Sequence, residues 1–141
     1  MYLPASVDLS TANPTASSGD QLAPTVLLVE PDLATRQLYT RALRQRWQVT
    51  AVHNIAEAVG ALGSGLQPQI VVIEPYADGS SIDWGRLAAL RDEFCGPASV
   101  PVVLCSTLDE RRNGYAWGAA LYLVKPVTPD RLVAELANFL L

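Results

Sequence analysis

At 141 residues the chain has the length of one domain, and with 50% hydrophobic and 17% charged residues it is globular rather than disordered. A formal net charge of −4 counts against nucleic acid as a direct partner, because phosphate binding leans on Lys and Arg. Pro, Gly or a charge interrupts every apolar run short of the ~20 residues of a membrane span, which excludes a spanning helix.

The first 23 residues stand apart. Ser10 to Gly19 has no apolar period and several breakers, so residues 1–23 are expected to form a flexible tail. There is no basic stretch followed by an apolar core, so a secretory signal is not expected. Cys95 and Cys105 are the only cysteines, and Cys105 lies in an apolar run, where a free thiol acts as a small hydrophobe. A cytoplasmic address fits that usage.

Residues 24–141 alternate apolar runs with helical patterns. The first strand spans about 25–30 and ends on Glu30-Pro31-Asp32. Asp32 can cap a helix over 33–46, with Leu33, Leu38, Ala42 and Leu43 as its apolar stripe. A short strand runs from Val49 to His53; Asn54 caps a helix through Leu62, which Gly63-Ser64-Gly65 ends. The third strand, 69–74, closes on Glu74 and breaks at Pro75. A helix over about 83–94 turns Leu87, Leu90 and Phe94 inward, and Asp78 and Asp83 before it read as turn or cap residues. The fourth strand, 100–105, ends on Ser106-Thr107, and a less regular helix follows over about 109–118. The fifth strand, 120–124, ends on Lys125-Pro126. Thr128 caps the last helix, Pro129 takes its first position, and Leu132, Val133, Leu136, Phe139 and Leu140 form its core face.

Strand–helix alternation repeated five times, with near-continuous Val/Ile/Leu strands, indicates a parallel sheet buried on both faces. The expected fold is a three-layer, doubly wound α/β domain with the flavodoxin-like strand order 2-1-3-4-5. Ligands of such sheets bind beyond the carboxyl ends of the strands. There the chain gathers Glu30, Asp32, Glu74, Ser106 and Lys125. His53, the only histidine, belongs to no triad or metal set and reads as a surface residue. The glycines Gly60, Gly63 and Gly65 lie at a helix end and form no phosphate loop.

These residues resemble a CheY-like receiver domain of two-component signalling over about 25–141. Leu27-Leu28-Val29-Glu30-Pro31-Asp32 resembles the acidic-pair motif after the first strand. Pro68 to Glu74 resembles the strand carrying the phosphoacceptor aspartate, with Glu74 on the acceptor. Val100 to Ser106 resembles the fourth strand with Ser106 as its switch hydroxyl; Gly118 to Pro126 carries the aromatic switch position at Tyr122 and the Lys-Pro signature, for which the resemblance implies a cis bond.

Two departures bear on chemistry. Glutamate replaces the acceptor aspartate, and its extra methylene moves the carboxylate by roughly 1 Å, enough to cost ~10²-fold in a positioned reaction. Pro31 falls where the family has the acid that contacts Mg²⁺. No metal site or other cofactor is therefore expected, and Mg²⁺ binding would be weak at most. The resemblance implies an atypical receiver, a pseudo-receiver without enzymatic activity, acting as a phosphorylation-independent protein-interaction module in bacterial two-component-type signalling. In it Glu74, charged and long, would hold Lys125 and Ser106 without phosphate. The alternatives are a receiver phosphorylated on Glu74 with Mg²⁺ help from Glu30 and Asp32, and a small-molecule-binding flavodoxin-like domain. The expected partner is a histidine kinase or a downstream signalling protein, or a second copy through the face of the fourth helix, fifth strand and fifth helix. Arg111, Arg112, Tyr115 and Trp117 gather there, residue types enriched at interface hot spots. The basic outer face of the first helix, with Arg36, Arg41, Arg44 and Arg46, reads as solvated.

Overall fold

The computed structural model describes residues 24–76, 82–94 and 100–140. Its elements in chain order are β1 (Thr25–Val29), α1 (Leu33–Leu43), β2 (Gln48–Val52), α2 (Ile55–Gly63), β3 (Ile70–Ile73), α3 (Trp84–Phe94), β4 (Val102–Ser106), α4 (Arg111–Trp117), β5 (Leu121–Val124) and α5 (Pro129–Ala137). All four strand pairings are parallel and the order is β2-β1-β3-β4-β5, as the alternation pattern predicts. The expected tail, residues 1–23, lies outside the described residues, as do Asp78 and Cys95.

Strand periodicity separates two cores. Val26, Leu28, Ile70, Val72, Val103 and Cys105 face one side, where Tyr39 and Leu43 of α1 and Leu132 and Leu136 of α5 cover them. Leu27, Val29, Val71, Ile73 and Leu104 face the other, under Ile55 and Ala58 of α2 and Leu87 and Leu90 of α3. The helix starts follow local chemistry: Asp32, Asn54 and Thr128 accept from the backbone N–H groups of Thr35, Glu57 and Arg131. Gly65 has φ of 105°, a left-handed conformation that ends the α2 segment without a Cβ penalty. Among the described residues no helix is long and apolar enough to cross a membrane.

The apolar stripe expected on α1 is corrected. Leu33 is 57% and Leu38 51% exposed, whereas Tyr39 and Leu43, one turn apart, face the sheet. Helix phase is set by the twisted sheet it covers. Tyr39 could be buried because its hydroxyl donates to Val127 O at 2.8 Å. Phe139 is likewise 39% exposed. The last helix stops at Ala137, and its tightened final turn passes the inward position to Leu140.

Candidate functional site

The register of β1 with β3 pairs Val29 with Ile73, so the next residues, Glu30 and Glu74, emerge side by side at the carboxyl edge. Glu74 N–H donates to Val29 O at 2.9 Å, and Glu30 N–H to Val52 O at 3.0 Å, which fixes both stems. Both side chains are nearly covered. Lys125, leaving β5, is anchored by its N–H to Ser106 O at 2.7 Å. Its ammonium reaches back across the edge and donates to Glu30 Oε1 at 2.6 Å and Glu74 Oε1 at 3.1 Å. The expected Lys125–Glu74 contact is present, but the closer carboxylate is Glu30. The Lys125-Pro126 bond is cis.

The remaining carboxylate oxygens are also engaged. Glu30 Oε2 accepts from Asp32 N–H at 3.1 Å, and Glu74 Oε2 from Tyr76 N–H at 3.2 Å. Each acid thus has one oxygen on the lysine and one on a backbone donor. Burial works against charge on Lys125, but the hydrogen bond to Glu30 and the charges of Glu30 and Glu74 outweigh it and hold its pKa above the ordinary lysine value. The pair is embedded, with the lysine side chain 13% exposed and the two acids less.

Asp32 does not join them. It is exposed, and its carboxylate accepts from Thr35 N–H at 2.9 Å and Thr35 Oγ1–H at 2.7 Å as the α1 cap. Those bonds to Thr35 depress its pKa. Arg36 folds over the same loop and donates to Glu30 O at 2.8 Å. Pro31 offers no side-chain ligand, Asp32 is engaged as the α1 cap, and the Lys125 ammonium lies between Glu30 and Glu74. Among the described residues no cluster of three or more His, Cys, Asp or Glu is arranged to hold a metal.

Ser106 is fully buried at the end of β4, and its Oγ accepts from Leu108 N–H at 3.1 Å. No hydrogen bond among the described residues joins it to Glu74, so Glu74 gathers the lysine but not the hydroxyl. Tyr122 points inward, its hydroxyl donating to Leu108 O at 2.7 Å and accepting from Glu110 N–H at 3.2 Å. Burial raises its pKa. The same loop, 107–110, is therefore tied to both Ser106 and Tyr122. Gly114 makes this possible: a Cβ there would stand 2.4 Å from Tyr122 Cδ2. The sequence signal for Gly114 is a glycine inside a helical stretch, which costs helix stability unless something packs against it.

The residues proposed for the α4–β5–α5 face divide into two groups. Arg111 is exposed and grips Asp109 with two bonds of 2.7 Å, and Arg112 is exposed. Tyr115 is 48% exposed, yet its hydroxyl accepts from Tyr122 N–H at 3.1 Å, on the sheet's outer strand. Trp117 instead joins the inner cluster, 6.1 Å from Trp84 between ring centroids, with the Arg91 guanidinium 4.9 Å from its ring centre. Arg91 also donates to Trp117 O. Packing of the helix end accounts for Trp117. His53 is exposed beside Glu57 at 2.9 Å, and Asp83 caps α3 by accepting from Arg86 N–H.

This arrangement of strands and helices has counterparts of known structure. The chemotaxis response regulator CheY4 of Vibrio cholerae superposes with a TM-score of 0.70 at 20% identity, over 84% of this chain and 99% of that one. The fold is that of CheY-like response-regulator receivers. A response regulator from Thermotoga maritima shares 24% identity over 84% of this chain and 98% of its own, with a TM-score of 0.68. An orphan response regulator of H. pylori gives 0.67 at 16% identity, over 84% of this chain and 97% of that one. No protein-family model matches the sequence, and no curated protein matches it. Low identity with a shared receiver fold is expected when burial constrains only the type of residue in each strand.

Proposed function

We propose that this chain is an atypical receiver, a non-enzymatic protein-interaction module of bacterial two-component-type signalling that works in the cytoplasm without phosphorylation or a metal. The single observation that carries the reading is Lys125 Nζ seated between Glu30 Oε1 and Glu74 Oε1. In ordinary receivers, a phosphoryl group on aspartate draws in the Ser/Thr and Lys. Here the acceptor position is a longer acid that already holds the lysine. Both pocket acids have each oxygen engaged, which leaves Glu74 poorly placed as a nucleophile. Signalling then depends on the surface the fixed pocket presents, with a kinase-like or downstream protein, or a second copy, as partner.

The test is intact mass after incubation with acetyl phosphate and Mg²⁺. The expected spectrum is unchanged. A stoichiometric, acid-sensitive phosphoryl adduct mapped to Glu74 would overturn the reading and install a phosphorylatable receiver in its place. The double substitution Pro31→Asp with Glu74→Asp restores the missing ligand and shortens the acceptor. It is expected to bind Mg²⁺ more tightly than the parent by calorimetry; equal affinities would show that Pro31 is not what weakens the site.

A further inference from the structure

The receiver reading leaves the other edge of the sheet unused. Residues 33–56 contain Arg36, Arg41, Arg44 and Arg46, four of the chain's ten Lys and Arg, and no acid, so the acid excess lies entirely outside this segment. None of the four is in an ion pair among the described residues. Three of them line a groove of about 600 Å³ between α1 and β2, with Leu33, Thr40 and Ala51. Arg36, Thr40 and Arg44 are spaced one turn apart and present one helical face. The Thr40 hydroxyl is buried there without a hydrogen-bond partner among the described residues.

The edge strand β2 borders this groove through Ala51. Gln48 N–H donates to Pro24 O, and Val52 O accepts from Glu30 N–H, so the residues of even number turn their backbone groups toward β1. By alternation Val49 and Ala51 turn theirs outward, and Arg44 reaching Val49 O confirms the direction. An exposed edge with outward N–H and C=O groups is a template for another strand. Arginines stand on one side of it and apolar Leu33 and Ala51 beside them.

We propose that the α1–β2 groove docks an extended acidic segment of a partner protein, which adds as a strand to the outer edge of β2 and sets its carboxylates against Arg36, Arg41 and Arg44. Backbone bonds to Val49 and Ala51 supply register, and the guanidiniums supply selection for acid. Arg36 also donates to the Glu30 carbonyl, but Arg41, Arg44 and the β2 edge lie outside the pocket, so the test at those positions is independent of Glu74 chemistry.

The test uses the full chain and a fluorescein-labelled peptide of alternating glutamate and valine, with a lysine–valine peptide as control. Anisotropy should show binding of the acidic peptide alone, weakening as salt rises. Arg41→Glu with Arg44→Glu should weaken it by about tenfold or more. Should that variant not fold, Arg41→Gln with Arg44→Gln replaces it. Amide exchange of Val49 and Ala51 should slow in the complex. No binding, or unchanged exchange at both amides, overturns the proposal. So does inorganic phosphate that competes fully at the peptide's own affinity, which would make the groove a site for free anions. If Asp8→Lys with Asp20→Lys in the full chain raises peptide affinity, the chain's own N-terminal residues fill the groove, and the partner proposal falls.

Discussion

Lys125 holds together two carboxylates that would otherwise repel at the sheet edge. Removing it leaves two covered acids without a counter-charge, and breaking a buried pair of this kind costs about 3–5 kcal/mol. Lys125→Met should lower the unfolding free energy measured by urea titration by that order, and adding Glu30→Gln should return part of the loss. No recovery would mean that the lysine acts mainly through its packing. Titration gives a second expectation. Lys125 has a raised pKa in the folded state, so its contribution is complete below the ordinary value of 10.5 and is lost as pH rises through the higher one. Cys105 follows the same sign: burial pushes its thiol from 9.0 up to about 11, so folding resists an ionisation that the unfolded chain undergoes. The melting temperature should therefore fall from about pH 9 upward, and Cys105→Ala should delay the onset relative to its own plateau. A profile flat to pH 11 would contradict both.

At the scale of elements, α4 is shaped by what lies beneath it. It has only the residues Arg111–Trp117, ended by Gly118 at φ of 116°. Alanine at Gly114 favours a helix by about 1 kcal/mol, but its Cβ would collide with the Tyr122 ring and approach Leu104 Cδ1 at 3.3 Å. The ring cannot yield easily, since its hydroxyl is bound to Leu108 O. Gly114→Ala should therefore destabilise by about 1–3 kcal/mol in spite of propensity, and Tyr122→Ala in the same chain should make it neutral or favourable. A stabilised single variant would show that Tyr122 is free to leave its site. The helix expected over about 109–118 spans Arg111–Trp117, and Asp109 in the preceding loop accepts from the Arg111 guanidinium.

For the molecule as a whole, the α4–β5–α5 face can be tested as a partner surface residue by residue. Tyr115 and Trp117 read alike in sequence but differ in place: one is half exposed, the other packed against Trp84 and Arg91. Trp117→Ala should lower the melting temperature, with a cost toward the ~3 kcal/mol typical of buried aromatics, and leave sedimentation unchanged. Tyr115→Ala should do the opposite if α4–β5–α5 is the association surface: weaker self- or partner association, with the fold nearly intact. Equal sedimentation of Tyr115→Ala and the parent at high concentration, with no loss of partner capture, would move the interface off this face.

The strand runs, the caps at Asp32, Asn54 and Thr128 and the parallel order were legible in the chain, because local hydrogen bonding and an uninterrupted apolar period leave one way to bury both faces of a sheet. So was the gathering of Glu30, Glu74, Ser106 and Lys125 at one edge, since strand ends in a parallel sheet share an edge. What each of them bonds to was not. Lys125 comes closer to Glu30 than to Glu74, and Asp32, two residues from Glu30, turns away to cap α1. These outcomes depend on distances of tenths of an ångström between residues far apart in the chain. The inward Tyr122 over Gly114 and the exposure of Leu33, Leu38 and Phe139 depend on how a twisted sheet sets the phase of each helix. Sequence determined which groups meet at the edge; only the packed sheet decided which oxygen faces the lysine.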